Sequence, residues 1–61
     1  MKTVDKKIKG NFPIRLLSDD SGKGFNVLSL YVGEGRIYTH YHFPIMVKEK
    51  MAREQYSQLT N

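Results

Sequence analysis

Two clusters of turn-forming residues, SDDSGKG at 18–24 and GEG at 33–35, govern how this chain can fold. Small, φ-permissive residues set between apolar runs are the chemistry of hairpin connections. Ahead of the first cluster, Ile8, Phe12, Ile14 and Leu16 share one parity, while Lys7, Lys9 and Arg15 share the other. Two is the strand period, so one strand is expected over about residues 7–17, apolar on one face and basic on the opposite one. Pro13 falls on the basic parity and cannot donate a ladder hydrogen bond, which predicts an edge strand or a bulge.

Between the clusters, FNVLSLYV is apolar at both parities: Phe25, Val27 and Tyr31 on one, Leu28, Leu30 and Val32 on the other. A strand of that kind, here 25–32, is central or has one face covered by a second molecule. After GEG, the run RIYTHYHF reads as a third strand over 36–43. Its Ile37, Thr39, Tyr41 and Phe43 share a face, and Arg36, Tyr38, His40 and His42 share the opposite, less hydrophobic one. Pro44 ends the strand and suits the first turn of a helix, where its missing N–H has no partner to lose. IMVKEKMAREQYSQL is rich in helix formers and free of glycine, which predicts a helix over about 45–59. Its stripe runs through Ile45, Lys48, Ala52, Tyr56 and Leu59, widened by Val47 and Met51.

The expected fold is therefore α+β: a three-stranded antiparallel meander with one face packed by a C-terminal α-helix. The helix is expected to bury Ile8, Phe12, Ile14, Leu16, Ile37, Tyr41 and Phe43, and residues 1–6 to form a flexible basic arm. Lys7, Lys9, Arg15, Tyr38, His40 and His42 would then lie on the uncovered face. At the level of architecture alone, such a sheet and helix is similar to several small DNA-binding domains, including amino-terminal domains of phage-type integrases.

A chain of 61 residues without cysteine has neither disulfide staples nor thiolate ligands. A core of this size supplies only about 3–5 kcal/mol, which favours a homodimer. No apolar run marks a signal peptide or a membrane span, and a reducing cytoplasm is the expected setting. Catalysis is not expected. SGKG links two strands and lacks the spacing of a phosphate-binding loop, DDSG lacks the ligand order of a calcium loop, and no nucleophile elbow is present. His40 and His42 would present two imidazoles to one side, but two ligands do not make a metal site. No metal and no cofactor are expected.

Ten Lys and Arg against six Asp and Glu give a net charge of +4, which favours anionic partners. The leading expectation is a small non-catalytic binding protein, of the kind phages and mobile elements encode. It would contact nucleic acid through Lys7, Lys9, Arg15, Lys23, Arg36, Tyr38, His40 and His42, combining phosphate contacts with stacking rings. The rival expectation is a protein-interaction module, an inhibitor or adaptor of a host protein. That module would dock through Leu28, Leu30, Tyr31 and Val32, through a strand edge, or through the helix.

Overall fold

The computed structural model describes all 61 residues and divides the expected first strand in two. β1 (Lys2–Lys9), β2 (Phe12–Ser18), β3 (Phe25–Gly33) and β4 (Arg36–Tyr41) form one antiparallel sheet in chain order, and α1 (Glu49–Thr60) follows. The class is α+β as expected, with four strands in place of three. Lys9 pairs with Phe12, so Gly10 and Asn11 form a two-residue turn. Gly10 has φ +65° and Asn11 does not share the positive sign, as a type II′ hairpin turn requires. The apolar alternation from Ile8 to Leu16 passes through this turn unbroken, which hides it from a periodicity reading.

The supposed flexible arm is part of β1. Lys2 pairs with Ser18 and Thr3 with Leu17; after a bulge at Val4, Asp5 pairs with Leu16. All eight residues of this strand are exposed, and four of them are lysine: Lys2, Lys6, Lys7 and Lys9. β2 is an inner strand, yet it tolerates Pro13 because pairing with β3 begins only at Ile14. The imino nitrogen points to the side where no acceptor is waiting.

Residues directly opposite in an antiparallel pair share a face. Gly33 pairs with Arg36 across Glu34 and Gly35, whose φ values of +53° and +74° make the turn type I′. Following the registers across the sheet, Lys7, Ile14, Ser29 and His40 form one row, and Leu16 and Val27 another, all on the side that carries the helix. The opposite side holds Ile8, Pro13, Arg15, Leu28, Leu30, Val32, Ile37, Thr39 and Tyr41. Three residues expected in the core are thereby displaced: Ile8, Ile37 and Tyr41 face away from the helix and are exposed.

The core is small. Ile14, Leu16, Phe25 and Val27 from the sheet meet Ala52 and Tyr56 from the helix, with Phe43, Val47 and Leu59 at the margin. Ile45 and Met51, expected in the helical stripe, are exposed. Burial, and after it the neighbouring Asp5 carboxylate, pushes the Tyr56 phenol above its ordinary value of 10.0. Its hydroxyl and that of Ser18 are buried without a hydrogen-bond partner.

The helix starts at Glu49, four residues later than expected, because the backbone upstream is committed elsewhere. Val47 exchanges both hydrogen bonds with Phe25, at 2.7 and 2.8 Å, and so extends the sheet by one bridge. Asn26 uses its side-chain amide to hold Phe43, donating to its carbonyl at 3.1 Å and accepting its N–H at 3.2 Å. The β-branched Ile45 and Val47 suit this extended path better than a first helical turn.

Beside the bridge, the 19–24 loop closes on the Asp19 carboxylate. That group accepts from the Ser21 hydroxyl at 2.7 Å and from the N–H groups of Lys23 and Gly24. The hydrogen bond from Ser21, joined by those backbone donors, holds Asp19 below its ordinary 3.8 against a smaller opposing effect of burial. A Cβ on Gly24 would lie 2.6 Å from Asp19 Oδ2 and 2.8 Å from Met46 Cβ. Gly24→Ala should therefore destabilise the fold by roughly 1–3 kcal/mol, the usual cost of overpacking, measured as a lowered urea midpoint. At the helix start, Lys48 has the extended N-cap conformation but makes no side-chain cap, and its charge opposes the helix dipole. Lys48→Ser should raise stability by about 1 kcal/mol in the same assay.

Candidate nucleic-acid interface

Because α1 packs on β1, β2 and β3 and does not reach β4, part of the helix side of the sheet is left open. Two same-face positions beyond Leu16 and Val27, the sheet presents Phe12 from β2 and Tyr31 from β3, both exposed. Tyr31 pairs across the ladder with Tyr38 of β4, and their rings stack at 5.3 Å between centroids and 18° between planes. Lys9 stands opposite Phe12 on one edge, and Arg36 lies at the start of the other edge strand. The result is a shelf of three rings flanked by cations, bounded on one side by the helix. Between the axes of its two outer strands, at ~4.8 Å spacing, it spans about 14 Å.

The tyrosine pair rests on glycine. A Cβ at Gly33 would lie 3.6 Å from Tyr38 Cε2, so the ring covers the bare backbone of a strand glycine. On the helix flank, Lys7 Nζ sits 5.7 Å from the centre of the Tyr56 ring, a cation–π contact that ties the start of the shelf to the core.

His40 and His42 are neighbours as their spacing implies, with ring centroids 4.6 Å apart and planes at 80°. Their surroundings differ. His40 is exposed, whereas His42 is half-buried beside the core; its backbone N–H donates to the Val27 carbonyl at 2.9 Å, and its ring Nε2 shares a 2.7 Å hydrogen bond with the Ser29 hydroxyl. Burial lowers the His42 pKa below 6.5, and the adjacent His40 adds to the effect. No group of three or more His, Asp or Glu side chains is arranged to hold a metal ion.

Of the eight residues expected to meet nucleic acid, Lys7, Lys9, Arg36, Tyr38, His40 and His42 do share one side, but it is the helix side and not the bare one. Arg15 is on the opposite face, paired with Leu28 and Lys6. Lys23 lies in the 19–24 loop at the far end of the sheet, beyond the helix. Phe12 and Tyr31 join the shelf although neither was among the eight. The turn lengths carried that signal, since a two-residue loop at Glu34–Gly35 forces Tyr31 opposite Tyr38. The alternative protein-docking set is also split: Leu28, Leu30 and Val32 are on the bare face, and Tyr31 is on the shelf.

Compared with protein families, characterised proteins and solved structures, the chain matches none. No helix is long and apolar enough to cross a membrane.

The lowered pKa of His42 has a definite sign. The unfolded chain binds its proton more readily, so stability should decline as pH falls below 6.5 toward the folded-state value. Urea midpoints measured across that window should slope downward with acid in the wild type and lose part of the slope in His42→Gln. An identical slope in both would assign the effect to another group.

Proposed function

We propose that this protein binds single-stranded nucleic acid on the shelf formed by Lys7, Lys9, Phe12, Tyr31, Arg36, Tyr38 and His40. The observation that carries this reading is the stacked Tyr31–Tyr38 pair set between cations of the two edge strands. Base rings stack on aromatic side chains at ~1–3 kcal/mol per base without demanding a particular base, and lysine and arginine track the phosphates. The outer faces of the pair, with Phe12 beside it, supply the stacking surfaces. Lys7 and Lys9 meet the backbone along one edge, and Arg36 meets it along the other. His40 is exposed on the same row as Lys7 and provides a polar edge for hydrogen bonding. The helix favours a single strand over a duplex, because it rises beside the shelf as a wall and leaves a step along which one strand can lie. The net charge of +4 supports the same partner.

Fluorescence anisotropy with short DNA and RNA oligonucleotides at low salt tests the proposal. Three phosphate-facing cations at ~0.7 counterions each predict a slope of about −2 for log affinity against log salt. Tyr38→Ala should weaken binding by roughly 5- to 150-fold, the equivalent of one lost stacking contact. Arg15→Ala, on the other side of the sheet, should leave it unchanged. No binding at low salt, or equal losses for the two variants, would overturn the assignment.

A further inference from the structure

The face of the sheet turned away from the helix is buried at one end, at the Leu17–Asn26 pair, and bare over the rest of its length. Ile37, Ile8 and Val32 are 71%, 66% and 56% exposed there, with Leu28, Leu30 and Tyr41 beside them. A patch of this size is too large to be scattered surface apolarity. We infer that this face is the interface between two copies of the chain, packed sheet against sheet.

Three observations favour a second copy over a different protein. The first is the deficit of the monomer: only 9 of 61 residues are buried, and its surface is 4466 Å². The usual surface–mass relation gives about 4,100 Å² for a folded chain of this mass, so the monomer is under-buried by roughly the area of one such face. The second is size. A face about 19 Å by 20–25 Å, doubled, buries about 760–950 Å², close to the ~1,000 Å² of the smallest specific interfaces.

The third is self-complementarity. Leu30 pairs with Thr39 at the middle level of the face, and the levels two residues away on either side carry Leu28 with Tyr41 and Val32 with Ile37. A two-fold axis running across the strands at Leu30 sets Leu28 against Val32 of the second copy and Tyr41 against its Ile37. The same operation sets Arg15 and Lys6, level with Leu28 and Tyr41, over the Gly10–Asn11 turn of the second copy, where their alkyl stems cover apolar surface and their charges reach past the end of its sheet. In such a dimer the two shelves look outward in opposite directions.

Sedimentation equilibrium or light scattering on the intact chain decides the matter, with a mass of twice 7.1 kDa expected. Val32→Lys combined with Ile37→Lys should halve that mass. Both side chains are already exposed in the monomer, so the far-ultraviolet circular dichroism spectrum should not change. A wild type that stays monomeric at high concentration, or a dimer that survives the double substitution, would overturn the inference; in the first case the face belongs to another protein. Because the shelf lies on the other side of the sheet, oligonucleotide binding is read separately. A dimer with no affinity for nucleic acid would remove the shelf assignment and leave the dimer standing.

Discussion

With Gly33 and Arg36 paired across a two-residue turn, and Lys9 and Phe12 paired across another, the side chains of each hairpin are committed to one side or the other, and the Ser18–Phe25 pairing joins the two hairpins in register. Turn length sets parity, and parity decides chemistry. One residue more at Glu34–Gly35 would turn Tyr38 and His40 to the bare face and Ile37 and Tyr41 toward the helix. The type I′ geometry there is accepted at the cost of a glutamate in left-handed backbone, where asparagine is the more comfortable residue. Positioning of the ring shelf and the exposure of the apolar face depend on these four turn residues together with the 19–24 loop that sets β2 against β3.

The helix then has less to cover than its length suggests. The sheet residues it buries lie on β2 and the first half of β3, and its N-terminal approach is fixed by the Val47–Phe25 bridge and the Asn26 clamp on Phe43. Burying Leu16 and Val27 completely contributes about 1.5–3 kcal/mol each. The unpaired hydroxyls of Ser18 and Tyr56 take back part of that, since a buried donor without a partner costs about 1–3 kcal/mol. The molecule is one layer of sheet partly roofed, and both unroofed regions carry aromatic or aliphatic side chains.

Much of this was legible in the sequence, and the misreadings have physical causes. The α+β class, the 18–24 and 33–35 connections and the body of the helix follow from glycine placement and from periodicity. The turn at Gly10–Asn11 did not show itself because Ile8, Phe12, Ile14 and Leu16 keep one parity through it. In a hairpin joined by two residues, that same parity lands on opposite faces. The helix start was misplaced because Pro44 is equally at home in a loop, and sheet pairing of Val47 depends on where Phe25 lies in space, which no local pattern encodes. The shared side of Lys7, Lys9, Tyr38, His40 and His42 was readable from alternation within each strand. Which side the helix would choose was not, since β3 is apolar on both parities and Phe25 and Val27 won that competition only through packing with Ala52 and Tyr56.

The eight exposed residues of β1 bear on how such a sheet meets other sheets. An edge strand offers a row of unpaired backbone groups to any passing strand, and pairing of that kind repeats without end. Here the edge carries Lys2, Lys6, Lys7 and Lys9 and is kinked by the bulge at Val4, so a second β1 drawn alongside would bring like charges together on a bent ladder. Contact through the flat face has the opposite property. It uses up the surface that creates it, and growth stops once that surface is covered. The lysines of β1 thus oppose extension of the sheet through that edge, while the other edge, β4, carries no lysine.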